Sequence, residues 1–404
     1  MQLGEKTDRA NSRDFSWSYW PLVPIYPYNQ RRTIRREIIP EQVWTFEQVQ
    51  GIFYVVVPIR MSVVRLQEGG LLVYAPVAPT GECLQLLAEL VAKYGDVKYI
   101  ILPTISGLEH KVFVPAFARC FPSAQIYVAP DQWSFPVSLP LSWLGFPRKR
   151  TFILPQDSSK TPFAQQFDYQ ILPTVNLRSG YFAEVAFFDR QTQSLLVTDS
   201  IVSIPSEPPE IFAIDPYPLL FHAKEDGLDE IVDTIPNRIK GWQRIALFAM
   251  YFQPTVLSIP QWGKVFRDAF KAPDRTSKNY FGLYPFLWRE DWQQCFNSLS
   301  GNGRMFVAPI LQALILNRAP QSVLAWADAI AEWDFKRILP CHFSAPITAG
   351  AKEFRQAFSF LENSPYISQT HPLPAVEFKV LRGIDNILCQ TRLVPPPVTK
   401  NEKR

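Results

Sequence analysis

The chain has 404 residues, of which 47% are hydrophobic and 19% are charged. This balance supplies enough apolar side chain for a sizeable core and excludes disorder as the main state. The net charge of +4 is too small over this length to indicate nucleic-acid binding. At roughly 150 residues per domain, we expect one large domain with insertions, or two domains.

The cysteines and the apolar segments indicate the cellular compartment in which the protein folds. The five cysteines are an odd number at wide spacings without a CxxC pair, which fits a reducing compartment. The amino terminus carries Glu5, Asp8 and Asp14 and lacks the apolar segment of a signal peptide. The longest apolar stretch, 245–259, falls short of the ~20 residues that span a bilayer. We therefore expect a cytoplasmic bacterial protein without a transmembrane segment, and leave peripheral membrane contact open.

Residues 1–44 are rich in aromatic residues, and we expect them to form an irregular extension. They contain a basic run made of Arg31, Arg32, Arg35 and Arg36. The run has two interpretations. It docks on an anionic membrane face, where each arginine would contribute ~1 kcal/mol, or the arginines are solvated while the aromatic residues pack on the folded body.

Residues 45–203 alternate strand and helix patterns. The runs GIFYVVV, MSVVRL and LLVYAP predict three successive strands. Apolar residues at helical spacing predict a helix over 81–94, and the continuous apolar run 97–103 predicts a buried strand. A loop (104–110), an apolar helical segment and further strands up to SLLVTDS follow. The pattern indicates the first part of a layered α/β sandwich with helices outside the sheets.

The pattern changes after residue 203. Longer helical patterns rich in Trp and Phe predict a helical insertion over 204–320. Residues 321–390 predict a closing helix, strand and helix of the sandwich, the strand lying in KRILPCHFSAP. Residues 391–404 are expected to be a flexible tail.

Residues of metal-ligand type follow three predicted strands. Glu109 and His110 come after YIILP, Asp199 after SLLVT, and His342 after RILPC. Loops at strand ends carry functional groups because a rigid sheet holds them in place. Two imidazoles and two carboxylates suit one divalent zinc, iron or manganese ion. Each residue alone also has a structural interpretation: a helix N-terminal acid, a loop histidine, a turn former and a cap.

The loop TISGLEH (104–110) and the order of these residues resemble the metallo-β-lactamase-like superfamily. That family has an αββα four-layer sandwich and the metal-binding pattern T-H-x-H-x-D-H after a buried strand. Ile105 and Gly107 stand where the pattern has its first two histidines, Glu109 replaces the aspartate, and His110 is the final histidine. The phrases LEHKVFVPAF and SFPVSLPLSWLGFP are similar to an uncharacterised branch found mostly in photosynthetic organisms.

The resemblance implies that half of a two-metal site is retained. The family's next histidine, expected within 174–180, is absent, whereas Asp199 matches its bridging aspartate and His342 its last histidine. The three histidines missing here hold one metal in the family. The resemblance therefore implies a degenerate, one-metal site made of Glu109, His110, Asp199 and His342.

Two functions follow as alternatives. The first is a metal-dependent hydrolase acting on an anionic or ester substrate, with the patch Arg148–Arg150 flanking the site and favouring an anionic ligand. The second is a catalytically inactive sandwich that serves as a binding or assembly protein at a photosynthetic membrane surface. Its interaction surface would lie in residues 1–44 and 204–320, whose bulky residues would cover the old active-site mouth or receive a partner. Those residues include Trp242, Phe248, Tyr251, Trp262, Tyr280 and Trp288.

The remaining histidines, His222 and His371, lie outside the matching motifs, and we interpret both as structural or exposed. The sequence does not specify a substrate or an oligomeric state.

Overall fold

The computed structural model of the chain describes residues 12–22, 24–105, 109–134, 138–362 and 373–398. The elements of its first half are β1 (Ile34–Ile39), β2 (Val43–Ile52), β3 (Val55–Arg65), β4 (Leu71–Tyr74), α1 (Gly81–Tyr94), β5 (Val97–Leu102), α2 (His110–Cys120), β6 (Gln125–Val128), β7 (Thr151–Ile153), β8 (Phe167–Ile171), β9 (Val175–Asn176), β10 (Tyr181–Phe182), β11 (Val185–Asp189) and β12 (Ser194–Val197).

The second half has shorter strands and more helices. Its elements are β13 (Val202–Ser203), α3 (Tyr217–Ala223), α4 (Ile235–Tyr251), β14 (Leu257–Ser258), α5 (Trp262–Lys271), β15 (Leu287–Trp288), α6 (Trp292–Ser300), β16 (Met305–Phe306), α7 (Pro309–Leu314), α8 (Pro320–Ala331), β17 (Arg337–Pro340), β18 (Ile347–Thr348), α9 (Ala351–Ala357) and α10 (Lys379–Gln390). None of the helices in the described parts of the chain combines the length and the apolar composition that spanning a bilayer requires.

Two sheets form the centre of the fold. The first has seven strands in chain order, β1 to β7, and is antiparallel up to β4 and parallel from β4 onward. The second has five strands in the order β18-β17-β12-β11-β8. Its central pair, β12 and β17, is parallel although about 140 residues of chain separate the two strands. Parallel pairing requires a crossover connection, which here contains α3 to α8.

Three apolar clusters show how the layers stack. Leu72 and Tyr74 of the first sheet share a buried cluster with Phe187 and Leu196 of the second, which is the core between the sheets. The outer face of the first sheet packs on α1 and α2. The outer face of the second sheet packs on α4, α8 and α9. The order helix, sheet, sheet, helix is the predicted four-layer α/β sandwich.

The amino-terminal segment differs from the irregular extension that we expected. Residues 34–39 form the edge strand β1, because they pair with β2 over 43–47. Trp17 is buried and its ring lies edge-on to that of Phe113 in α2. The aromatic residues thus pack on the sandwich, as one interpretation held.

The basic run is neither free nor fully solvated. Arg31 is buried, with its guanidinium 5.2 Å from the ring centroid of Phe113. The other three arginines pair with acids: Arg32 with Glu82, Arg35 with Glu89 and Arg36 with Glu47. Because its charges are already engaged within the protein, this run does not form an open basic surface.

The carboxy-terminal segment is also more ordered than the predicted flexible tail. Val394 is buried, the Arg318 Nε donates to the Pro395 carbonyl at 2.9 Å, and the Val398 N–H donates to the Asn317 carbonyl at 3.1 Å. Residues 399–404 of the predicted tail lie outside the described residues.

Candidate metal centre

The parallel pairing of β12 with β17 places Asp199 beside His342. Val197 is the register partner of Pro340, and one residue further on the Cys341 N–H donates to the Thr198 carbonyl at 3.3 Å. The next residues along the two strands are Asp199 and His342, and the His342 Nε2 lies 3.1 Å from Asp199 Oδ1. The pair forms because β12 and β17 end at the same level of the sheet, so the residues just beyond the two strand ends lie side by side.

Glu109 reaches the same point from the other sheet. The Val185 N–H of β11 donates to the Pro103 carbonyl at the end of β5, at 2.9 Å, and so ties the two sheets together there. Glu109 occupies the N-cap position of α2, yet its side chain makes no capping hydrogen bond. Its carboxylate instead lies 3.0 Å from His342 Nε2 and accepts a 2.7 Å hydrogen bond from Gln50 Nε2. Glu109 is thus a helix N-terminal acid by position, as one interpretation held, but its carboxylate is turned toward His342 and Gln50 and does not cap the helix.

These three residues form a compact group. One ligand atom from each of Glu109, Asp199 and His342 lies within 4.8 Å of the other two. His342 Nδ1 lies 2.9 Å from the Pro58 carbonyl. Because a carbonyl only accepts, Nδ1 carries the proton, and Nε2 is the ring nitrogen that faces the carboxylates. In metal-binding histidines, the ring nitrogen that does not bind the metal commonly donates a hydrogen bond to a backbone carbonyl, and this bond fixes the orientation of the ring.

The electrostatics of the group are those of a cation between two carboxylates. Burial opposes the charged form of His342, but Glu109 and Asp199 outweigh it, so the pKa of the imidazole is raised well above its ordinary value. Burial likewise opposes the charge on Glu109, but His342 outweighs it and lowers the pKa of that carboxyl. A proton on Nε2 therefore joins the group when no metal is bound. A divalent ion in its place would be neutralised by the two carboxylates.

His110 lies next to this group but does not belong to it. Its Nδ1 donates to the Pro76 carbonyl at 3.1 Å, and its Nε2 is buried without a hydrogen-bond partner among the described residues. Burial lowers the pKa of the imidazole, which favours the neutral ring. The structure thus brings together three of the four predicted ligands and leaves the fourth with an unpartnered buried nitrogen. The four-residue ligand set stays a prediction.

The residues that stand in place of the family's other histidines carry no imidazole. Ile105 is buried. Gly107 lies outside the described residues, and the segment 174–180 contains β9 and the turn that leads into β10.

Glu184 supports the backbone that carries Asp199, and the sequence reasoning did not identify it. Its carboxylate accepts hydrogen bonds from the backbone N–H groups of Thr198 (2.6 Å), Asp199 (3.2 Å) and Ser200 (2.9 Å). Burial, and then the charge of Asp199, raise the pKa of this carboxyl to about 7. An acid inside the apolar run FAEVAFFD was the available signal, because a buried carboxylate needs donors to satisfy it.

Arg60 holds the backbone on the His342 side and was also missed. Its guanidinium is buried, pairs with Glu47 at 2.9 Å, and donates to the carbonyls of Pro340 (2.5 Å) and Phe343 (2.6 Å). These two carbonyls flank His342, so Arg60 fixes the turn that presents the imidazole. An arginine within the apolar run VVVPIRMSVV was the sequence signal.

The three converging side chains lie at the floor of a cavity of about 220 Å³. Its other lining residues are Val57, Val202, Ala249, Met250, Ala308, Ile310, Leu311 and Phe343. No lysine or arginine is among them. The wall opposite the two sheets comes from α4 and from the start of α7, so residues of the 204–320 segment enclose the site.

The basic patch Arg148–Arg150 does not flank this cavity. Arg150 donates to the Phe121 and Ala124 carbonyls beyond the C-terminal end of α2. The N-terminal end of α2, where Glu109 lies, is about 15 Å away along an 11-residue helix. The expectation that the patch flanks the site is therefore wrong, and its role toward an anionic ligand stays a prediction.

Most of the bulky residues of 204–320 serve the core rather than the cavity mouth. The cluster between the second sheet and the helices buries Trp242, Tyr251 and Trp288. Trp262 is exposed at the start of α5. His222 is also buried, and its Nε2 donates to the Phe53 carbonyl at 3.1 Å, as a structural histidine would. His371 lies outside the described residues.

Several solved structures are similar to this chain in backbone arrangement. The DIM-1 metallo-β-lactamase exposed to ceftazidime is 9% identical with a TM-score of 0.38, and the match covers 82% of this chain and 98% of that one. The metallo-β-lactamase from Pontibacter korlensis is 11% identical with a TM-score of 0.36, covering 82% and 100%. Values this low add nothing to the fold assignment, which rests on the sheet order and layering described above.

A third similar structure is the metal-soaked Flv1 flavodiiron core from Synechocystis sp. PCC6803, at 10% identity and a TM-score of 0.41. The match covers 82% of this chain but only 61% of that one. No functionally curated protein matches the chain. A family profile described as "Domain of unknown function (DUF4336)" matches residues 40–360, and the chain therefore belongs to the DUF4336 family.

Proposed function

We propose that the protein is a one-metal hydrolase that acts on a small ester with an apolar part. The observation that carries the proposal is the convergence of Glu109, Asp199 and His342 within 4.8 Å at the floor of an apolar cavity. Three protein ligands with coordination positions left open are typical of catalytic rather than structural metal sites.

The donor set fits a divalent ion in three respects. Two carboxylates and one neutral imidazole balance its charge and suit zinc, iron or manganese. His342 already presents Nε2, because Pro58 holds its Nδ1. The unpartnered buried Nε2 of His110 is a further donor beside the group. A divalent ion held there would supply Lewis acidity toward a bound carbonyl and lower the pKa of a bound water.

The cavity lining favours a neutral substrate over an anionic one. None of the described residues that line it is a lysine or an arginine, so no side chain there supplies a counter-charge for an anion. Met250, Leu311 and Phe343 offer apolar contact for an acyl or alkoxy group. Of the anionic and ester substrates expected from the sequence, we therefore propose the ester.

Metal content tests the proposal directly. The full chain, purified without chelators, is expected to carry about one equivalent of transition metal by elemental analysis, since a formed site retains its ion. The variant Asp199→Asn should lose it. Asp328→Asn is the matched control, because that carboxylate is exposed and its ion pair among the described residues is with Arg355 at the surface. Less than about 0.1 equivalent in the wild type would refute a metal site and leave a structural ion-pair group.

Hydrolysis is tested separately on a panel of neutral p-nitrophenyl esters of increasing acyl length. We expect turnover that depends on added metal and is lost in Asp199→Asn but kept in Asp328→Asn. Stoichiometric metal with no ester turnover across the panel would contradict the hydrolase and favour the alternative of a binding protein.

A further inference from the structure

Helix α5 exposes an aromatic stripe. Trp262, Phe266 and Phe270 are 57%, 53% and 72% exposed. Because they are four residues apart, their side chains follow one another along a single line of the helix surface. Val265 and Ala269 are buried and anchor the helix to the protein. The apolar face of α5 is therefore wider than the part that the protein itself covers.

A fourth exposed aromatic residue extends this surface at the end of the helix. Phe281 is 64% exposed and adopts a positive φ of 57°, which is uncommon for a bulky residue. The neighbouring Gly282 lies directly against Ala269 and Ala272, where a Cβ would come within 2.6 Å of the Ala272 Cβ. Phe281 therefore projects beside the C-terminal end of α5. Phe281 thus keeps an unfavourable backbone conformation although its ring remains exposed to solvent.

Exposed cations accompany the stripe. They are Lys264, Arg267, Lys271, Arg275 and Lys278, against the two acids Asp268 and Asp274 in the same segment. Asp268 is already paired with Lys264 at 2.6 Å. Arg267 and Lys271 form no ion pair with any described residue. Each directly follows a stripe residue, Phe266 or Phe270, and so lies about 100° around the helix from it.

We infer that α5 and Phe281 form a surface that binds an anionic lipid membrane. A helix with a wide exposed Trp and Phe face bordered by lysine and arginine is the pattern of helices that lie in the membrane interface. A fluid lipid surface can accept such a stripe without a shape-complementary partner. The unpaired Arg267 and Lys271 supply the charge complementary to anionic headgroups.

This inference goes beyond the proposed hydrolase and does not depend on it. It also places membrane contact away from the amino-terminal arginines, whose charges are engaged within the protein. Apolar insertion and headgroup attraction both contribute, so removal of either should weaken binding.

The test uses the full chain and sedimentation with vesicles of two compositions. One is phosphatidylcholine alone, and the other is equal parts phosphatidylcholine and phosphatidylserine. We expect binding to the anionic vesicles that weakens as salt is raised, because screening shortens the reach of surface charge. The double variant Phe266→Ser with Phe270→Ser and the double variant Arg267→Glu with Lys271→Glu should each bind about tenfold or more weakly.

Trp143→Ser is the matched control, since Trp143 is 74% exposed but lies outside the α5 surface. It should bind as the wild type does, and all variants should keep the wild-type thermal unfolding midpoint. If the aromatic variant is unstable, the charge variant decides the result. Absence of binding to anionic vesicles, or equal binding by wild type and both double variants, overturns the inference. A concentration-dependent dimer by size exclusion that Phe266→Ser with Phe270→Ser abolishes, without lipid binding, overturns it in favour of a second copy as the occupant.

Discussion

The His342 Nε2 lies 3.0 Å from the Glu109 Oε2, although 233 residues separate the two along the chain. Glu109 follows a strand of the first sheet and His342 a strand of the second. Their contact therefore marks the place where the ends of the two sheets meet. Asp199 joins them because it lies beside His342 on the neighbouring parallel strand. The geometry around this contact leads to three predictions, and a buried histidine outside the site leads to a fourth.

The length of the Glu109 side chain should matter for metal affinity. Glu109→Asp restores the residue of the family pattern but withdraws the carboxylate by about 1.5 Å, against ligand distances that tolerate roughly 0.2 Å. We expect metal affinity, measured by competition with a chelating dye, to fall about tenfold or more. Glu82→Asp, a change of the same size at a residue that pairs with Arg32 outside the site, is the control. Tighter binding by Glu109→Asp would mean that Glu109 is a poor substitute rather than a fitted ligand.

Arg60 should stabilise both the core and the turn that carries His342. Arg60→Met leaves the buried carboxylate of Glu47 without its close partner, which should lower the free energy of unfolding by about 3–5 kcal/mol in urea titrations. Arg65→Met, at the exposed end of the same strand, should cost less than about 0.5 kcal/mol. Combining Arg60→Met with Glu47→Leu should recover part of the loss, because no unpaired charge remains. Equal stability of the wild type and Arg60→Met would show that the pair contributes nothing.

Glu184 should position Asp199 without touching a metal itself. In Glu184→Gln one accepting oxygen becomes an NH₂ group that faces backbone N–H donors of residues 198–200. We expect a loss of about 1–3 kcal/mol in the free energy of unfolding and a roughly 10–100-fold loss of metal affinity. Glu230→Gln changes an exposed acid and should alter neither quantity. Unchanged metal affinity in Glu184→Gln would indicate that Asp199 is held by its own strand.

The stability of the protein should fall in mild acid because of His222. Burial lowers the pKa of this imidazole from its usual 6.5 to about 3. The unfolded chain therefore binds a proton between these two values while the folded chain does not, so stability is fully present above pH 6.5 and is lost as pH falls toward 3. Between pH 6.5 and pH 5, protonation of His222 in the unfolded chain should lower the free energy of unfolding by about 2 kcal/mol.

The test compares urea unfolding of the wild type and His222→Phe over that pH range. The variant loses the hydrogen bond to the Phe53 carbonyl and should be less stable at pH 7. Its stability should nevertheless decline less steeply toward pH 5. Parallel declines in the two proteins would contradict the assignment of this acid sensitivity to His222.

The sequence predicted those features that are set by local patterns. The buried strand at 97–103, the helix over 81–94 and the strand before His342 follow from runs and spacings of apolar residues, and the structure has them as β5, α1 and β17. Local patterns misled at the chain ends. Residues 34–39 look irregular because the charged residues Arg35, Arg36 and Glu37 interrupt the apolar run of this edge strand, and Val394 is buried although the segment around it is polar and rich in proline.

The sequence by itself determined which residue types follow the strands: an acid and a histidine after β5, an acid after β12 and a histidine after β17. Only the tertiary structure decided that Glu109, Asp199 and His342 converge while His110 turns to the Pro76 carbonyl. It also decided that Glu184 and Arg60 support the site and that the aromatic stripe of α5 stays exposed. The physical reason is that the site forms where strand ends of two different sheets come together. The residues that meet there, and the side chains that hydrogen-bond to their backbone, are brought together by packing although more than 200 residues separate some of them along the chain. Local periodicity carries no information about which distant surfaces will be covered.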